Sequence, residues 1–317
     1  MESSKLAPIV LFIYNRPEHT KQTLEFLSAN TLSKDSDLFI YADGAKDGAT
    51  AGMIAKIKQT RDIAYLKKWC KTVTVIEAEK NKGLAASIIL GVTEVIKKYG
   101  KCIVLEDDIV TGKYFLEYMN TALETYSDEK QIFHITGWRN PVKNRHRGAS
   151  YLYPIMDCWS WATWSDRWEH FKKDCTFYKS IFTDDMKYRF NRDGTDLGQW
   201  EQIELNATGK INTWAIFWGA TVFTHNGLCL APTQSLVRNI GMDGSGEHCG
   251  KDSLLKDENI DFAITDFPKK PFIVNEKEYE QDKQFFLKRK KIADTKALIK
   301  KFIKPIYSIL KLKSRKR

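Results

Sequence analysis

Apolar residues run almost without interruption through four short stretches of the first hundred or so residues: 8–14, 37–42, 73–78 and 101–110. Short runs rich in β-branched residues and bounded by polar turns predict strands buried on both faces. Between them the apolar positions fall at helical spacing. Pro17 suits the first turn of a helix over 18–29 that carries Leu24 and Leu27. A second helix is expected over 51–69, and a third from the Lys80–Ser87 segment to Tyr99, stopped by Gly100. Four strand–helix alternations predict a parallel sheet with helices on both faces, an α/β fold. In such sheets ligands bind just past the carboxyl ends of the strands. Here those ends read Asn15-Arg16, Asp43-Gly44, Glu79 to Gly83, and Glu106-Asp107-Asp108.

After a helix over 113–127 and a strand over 132–136 the alternation breaks down. A polar, basic loop covers 137–149. The segment Asp157-Cys158-Trp159-Ser160-Trp161-Ala162-Thr163-Trp164-Ser165-Asp166-Arg167-Trp168 then places Trp161, Trp164 and Trp168 on one face of an expected helix. Such a face is produced both by core packing and by indoles that stack on sugars. Trp159 lies off that face and is the better candidate for ligand contact. A polar helix over 196–208, a buried helix over 213–223, a short strand over 228–231 and a Gly-rich loop over 241–250 complete this half.

The fourth strand carries the clearest chemistry. Three consecutive carboxylates at the end of a buried strand lose hydration and repel one another. A hard divalent cation, Mg²⁺ or Mn²⁺, usually carrying a phosphate, would neutralise them. An acidic turn capping the next helix is the plainer reading of the same residues.

Composition narrows the class. A chain of 317 residues, 43% hydrophobic, can bury a substantial core. No run approaches the ~20 apolar residues of a membrane span, and the opening residues have no signal-peptide pattern. Six scattered cysteines without a Cys-x-x-Cys pair argue against zinc knuckles and disulfides and predict a cytoplasmic protein. The formal charge of +10 is concentrated at one end: residues 283–317 hold 14 Lys and Arg against one acid, Asp294, or +13, which leaves −3 for the rest. That distribution predicts a globular domain over 1–275 (nucleotide-binding half 1–110, acceptor half 111–275) and a basic tail over 276–317. It argues against a nucleic-acid partner, which calls for basic residues across a folded face. Ile292, Ile299, Phe302, Ile303, Ile306 and Leu310 recur at helical spacing among the lysines. The tail therefore reads as an amphipathic helix on an anionic membrane surface, peripheral to the inner face of the cell membrane, or as a helix packed on the globule with a solvated basic face.

Several chemistries lack their motifs. The turn after the first strand, Asn15-Arg16-Pro17-Glu18, is no dinucleotide fingerprint. The chain also has no P-loop and no Gly-x-Ser-x-Gly elbow. Instead Asn15-Arg16, Ala42-Asp43-Gly44, Asn81-x-Gly83-Leu84 and Glu106-Asp107-Asp108, the last followed by the aromatic-rich Tyr114 to Tyr118, stand in order at successive strand ends. Together they resemble the GT-A-fold glycosyltransferases, chiefly the bacterial family-2-like sugar transferases of surface polysaccharide synthesis. The triplet is also similar to that of N-acetylglucosaminyltransferase I. The resemblance implies a Rossmann-like nucleotide-diphospho-sugar transferase fold with a basic helical tail, a nucleotide-sugar donor (a UDP-sugar foremost), and a glycan or lipid-linked glycan acceptor such as lipopolysaccharide or capsule. It implies that Asp108 holds Mn²⁺ or Mg²⁺ and that Glu106 and Asp107 contact ribose or donor sugar. Asp43 would read the base, Asn15, Arg16 and Gly83 would line the donor site, and His248 in the Gly-rich loop would be a second metal ligand. The family's base follows a tryptophan, but here Trp214 is followed by Ala215. Asp157 and Glu204 are the leading substitutes, with Glu201 and Asp243 behind them. A sugar nucleotidyltransferase and a non-catalytic nucleotide- or glycan-binding protein are the rival readings.

Overall fold

In the computed structural model of the chain, residues 6–141, 148–195, 198–244 and 259–298 are described. The elements run β1 (Ile9–Ile13), α1 (Pro17–Ser28), β2 (Asp37–Ala42), α2 (Ala51–Tyr65), β3 (Thr72–Glu77), α3 (Leu84–Tyr99), β4 (Lys101–Glu106), β5 (Ile109–Thr111), α4 (Phe115–Thr125) and β6 (Ile132–Thr136). They continue with β7 (Ser150–Tyr153), β8 (Trp161–Trp164), α5 (Ser165–Trp168), α6 (Cys175–Ile181), α7 (Asp184–Phe190), α8 (Gly198–Ala207), α9 (Ala215–Thr224), β9 (Leu228–Pro232), β10 (Val237–Asn239) and α10 (Glu276–Leu298). Among the described residues, no helix is long and apolar enough to cross a membrane.

Eight strands form one sheet in the order β3-β2-β1-β4-β8-β6-β9-β7. The first four are parallel, with Leu11 at the centre opposite Ile40 on one side and Leu105 on the other. β8 runs antiparallel between β4 and β6, β9 is parallel to β6, and β7 closes the edge antiparallel to β9. Because strand side chains alternate, Ile9, Leu11 and Ile13 pack on one face with α1, α2 and α4. Val10 and Phe12 pack on the other with α3 and α9. A third, smaller core gathers Tyr178, Phe182, Phe190, Trp200 and Phe217 between α6, α7, α8 and α9.

The expected α/β alternation is the observed one, with local corrections. The apolar run 101–110 is two strands: the chain turns at Asp107-Asp108, and β5 leaves the main sheet to pair with β10. The expected tryptophan helix is largely a strand. β8 sends Trp161 to one core and Trp164 to the other, and all three tryptophans are buried, which assigns them to packing. Two-residue periodicity was masked there by tryptophans spaced three and seven apart. Helix α2 ends at Tyr65, short of 69, and the first turns of α10 are docked against the globule rather than free of it.

Candidate active site

β1 ends at Ile13, the side chain of Asn15 is partly buried, and Arg16 occupies the N-cap position of α1, where Pro17 fixes the first turn. The guanidinium of Arg16 reaches to the end of β4. Its Nη2 donates a short hydrogen bond to Asp107 Oδ1 and lies 3.0 Å from Asp108 Oδ2. Thr23 Oγ1 of α1 donates to the carbonyl of Asp107 at 2.9 Å, so one helix holds both the backbone and the side chain of this turn.

Three acids stand near one guanidinium, which offsets only one of their charges. Burial, then Asp108 and Asp107, push Glu106 up to about 8, against the opposing pull of Arg16. Burial pushes Asp107 up to about 6 even though Arg16 pulls it down. Burial works against the charge of Arg16, but Asp107 and Asp108 outweigh it and raise its pKa.

Asp43, after β2, has a different task. Its Oδ1 accepts from the backbone N–H groups of Gly44 and Lys82 (2.8 Å each), and its Oδ2 accepts from Asn81 Nδ2 (2.9 Å) and Gly83 N–H (3.0 Å). The carboxylate therefore shapes the turn that opens α3. Gly83 adopts φ +76°, which a residue with a Cβ resists. Arg61 fastens the neighbouring ends by donating to the carbonyls of Ala78 (2.7 Å) and Asp43 (3.1 Å). Arg61 and Lys82 carried no distinctive sequence signal for this role, whereas Asn81 stands in the Asn81-x-Gly83-Leu84 motif. One residue past β1, the hydroxyl of Tyr14 is buried with no partner among the described residues.

A strap crosses the acidic turn. β10 pairs with β5, Ile240 N–H donates to the Asp108 carbonyl at 2.8 Å, and Gly241 lies against the carboxylate. A Cβ at Gly241 would stand 2.2 Å from Asp108 Oδ2 and 2.9 Å from Arg16 Nη1. Further along, Asp243 Oδ2 meets His19 Nε2 of α1 at 3.2 Å. His248 lies outside the described residues.

On the other side of β4, Trp138 and Trp159 meet edge to face, with ring centroids 4.5 Å apart. Next to them Ser160 is buried at φ +61°, a rare conformation for a non-glycine residue. Its hydroxyl has no partner among the described residues.

The candidate bases differ sharply. Glu204 is exposed on α8 and accepts a hydrogen bond from Trp200 Nε1 at 3.0 Å. Asp157 is held on every side. Its carbonyl receives His134 Nε2 at 3.0 Å, in the tautomer set by Trp218 Nε1 donating to His134 Nδ1 at 3.1 Å. Its carboxylate accepts from Tyr153 and lies 3.8 Å from Arg192. Burial raises the pKa of Asp157, with Arg192 opposing. Glu201 is exposed, and Asp243 belongs to the strap.

Among the described residues, no three His, Cys, Asp or Glu side chains converge in a geometry that could hold a metal ion. The acidic turn is therefore no ready-made cage. Its donors fit instead a Mg²⁺ or Mn²⁺ ion that takes one or two carboxylate oxygens and completes its shell with phosphate and water. Asp108 is the residue that would hold it, with Asp107 beside it on the same turn.

No protein-family model matches the chain, and no curated protein matches it. Among solved structures, the chain is similar to the mannosyltransferase PcManGT from Pyrobaculum calidifontis, solved in complex with GDP-Man and Mn²⁺, at 12% identity over 69% of both chains and a TM-score of 0.38. It is also similar to TarS of S. aureus, at 13% identity over 44% of this chain and 22% of that one, with a TM-score of 0.28. These likenesses are remote and assign no specific family. The strand order itself, four parallel strands whose polar ends share one edge followed by a mixed half, makes this an α/β protein built on one large sheet.

Proposed function

We propose that the chain is a metal-dependent glycosyltransferase that moves a sugar from a nucleotide-sugar donor to a glycan acceptor. The observation that carries this reading is that Arg16, the Asp43-held turn and the Glu106–Asp108 triplet all stand at the carboxyl ends of the sheet's adjacent parallel strands. A nucleotide diphosphate fits such an edge, with guanidinium and helix N-termini for its phosphates.

In this reading Asn15 and Arg16 line the nucleotide. Asp43 acts through the turn it holds, presenting Asn81, Lys82 and Gly83, rather than by offering free acceptors to a base. Asp108 is the metal ligand, and Glu106 and Asp107 face ribose and donor sugar. A bound divalent ion would draw charge from the leaving diphosphate and ease rupture of the sugar C1–O bond. Asp157 is the preferred base over Glu204. Its raised pKa suits proton removal near neutral pH, and it stands two residues from the partly exposed Trp159.

The basic stretch 283–317 would hold the enzyme at the cytoplasmic face of an anionic membrane, near a lipid-linked acceptor of surface-glycan synthesis. Ala215 after the buried Trp214 favours a second reading, a nucleotide- or glycan-binding protein on the same fold that has lost the base.

The test is a panel of UDP- and GDP-sugars assayed for Mn²⁺-dependent release of the nucleoside diphosphate, with Asp108→Ala as control. Release that depends on Mn²⁺ and disappears in Asp108→Ala is expected. Tight nucleotide binding without turnover of any donor would leave the binding-protein reading standing. Nucleotide affinity unchanged in Asp108→Ala would remove Asp108 from the site.

A further inference from the structure

Arg16 stands where a divalent ion would have to be. Its Nη2 contacts one oxygen each of Asp107 and Asp108, the two carboxylates that converge at the sheet edge. A guanidinium and a divalent cation carry like charge, and both cannot take the same oxygen of Asp108. Gly241 packs against the same pair, since a Cβ there would stand 2.2 Å from Asp108 Oδ2 and 2.9 Å from Arg16 Nη1. The three partners are not equally placed. The side chain of Arg16 is 18% exposed, against 6% for Asp107 and 8% for Asp108. The acids are also held by backbone bonds, from Thr23 Oγ1 to the Asp107 carbonyl and from Ile240 N–H to the Asp108 carbonyl. The guanidinium is thus the member free to leave toward solvent while the carboxylates stay.

We propose that Arg16 is an exchangeable counter-ion, holding Asp107 and Asp108 together in the free protein and passing to the diphosphate when a divalent cation arrives with the nucleotide. The inference rests on the metal-dependent nucleotide-sugar reading above and adds an order of events to it. A cation arriving alone must displace Arg16 into water, where the guanidinium gains no partner of comparable strength. A cation arriving with a diphosphate brings that partner, because phosphate oxygens accept a bidentate guanidinium as carboxylates do. Metal and nucleotide therefore bind with strong positive coupling, reciprocal by linkage. Nothing in the exchange requires the backbone of the acidic turn to move.

The experiment measures Mn²⁺ binding by the paramagnetic resonance of the free ion, first with Mn²⁺ alone and then with UDP or GDP. Arg16→Gln and Arg16→Lys are compared with wild type, and folding is checked by circular dichroism and melting. Wild type should bind Mn²⁺ weakly alone and at least about tenfold more tightly with nucleotide, within the usual range of such couplings. Arg16→Gln should bind Mn²⁺ alone about tenfold more tightly than wild type and lose most of the coupling. Arg16→Lys, with one charge but no fork, should fall between them. Arg16→Gln or Arg16→Lys binding Mn²⁺ alone no better than wild type overturns the exchange while leaving the metal reading intact. Absence of Mn²⁺ binding by both wild type and Arg16→Gln, with or without nucleotide, overturns the metal reading and the exchange together.

Discussion

Arg192 Nη1 lies 2.7 Å from Asp282 Oδ2, and Arg139 Nη1 lies 3.2 Å from the other oxygen of the same carboxylate, which is closed to solvent. Asn140 Nδ2 adds a third donor at 2.7 Å. One acid on α10 thus pairs with two arginines of the acceptor half, and the second positive charge is offset by Glu278, 3.6 Å from Arg139, and Asp157, 3.8 Å from Arg192. The helix that begins the basic tail is tied to the loop after β6.

Removing that acid should therefore cost more than a surface ion pair. Asp282→Ala leaves Arg139 and Arg192 buried around an empty place, a change worth about 3–5 kcal/mol when one partner of a buried pair is lost. Urea unfolding should show that loss. A midpoint within error of wild type would mean that α10 contributes nothing to the globule.

Asp43→Ala should destabilise the chain and weaken nucleotide binding together. The substitution strips acceptors from the N–H groups of Lys82 and Gly83 and from Asn81. A donor left unsatisfied in a buried place costs about 1–3 kcal/mol. Calorimetric titration with UDP and GDP, alongside thermal melting, checks both effects. Full affinity in a destabilised variant would show that the 80–83 turn lies outside the nucleotide site.

Gly241→Ala separates the strap from the rest of the fold. Gly241 needs no positive φ, so the effect is steric: the new methyl would meet Asp108 Oδ2 at 2.2 Å and Arg16 Nη1 at 2.9 Å. The strap should lift, changing Mn²⁺–nucleotide affinity by roughly tenfold, which corresponds to about 1.4 kcal/mol, with a smaller change in melting temperature. Equal affinities would show that the strap does not cover the donor site.

Glu106 and Asp107 also set a pH dependence. Glu106 is pushed up to about 8 from 4.5. Between those values the folded chain holds a proton that the unfolded chain has released. Linkage then requires stability to fall as pH rises through that window, and Asp107, raised to about 6, adds to the fall over its lower part. Glu106→Gln, which cannot ionise, should flatten the decline in metal-free buffer between pH 5 and 8. Melting at each pH checks this, with about 2–4 °C expected for each kcal/mol in a chain of more than 150 residues. A decline as steep in Glu106→Gln as in wild type would assign it to other groups.

The first half of the molecule was largely legible in the sequence. Its strands are buried on both faces, so their apolar runs stand out, and the helices between them carry their own start and stop residues, such as Pro17 and Gly100. The second half was less so. β7, β8 and β10 are short strands, and β8 lies in a tryptophan-rich stretch whose spacing also fits a helix. Only long-range pairing, Trp161 with Val104 and Thr136, makes it a strand.

The same division holds for the site. The α/β order, the polar residues at four strand ends and the carboxylate triplet can be read from the residues alone, because these depend on local periodicity and on the direction of parallel strands. What each polar group faces follows from long-range packing. It gave Asp43 to the turn before α3, Asp282 to Arg139 and Arg192, and Arg16 to Asp107 and Asp108. Those pairings join residues 38 to 143 positions apart. Charges so far apart in the chain meet only when the buried sheet edge brings them together, and there the shortage of water makes each partner count.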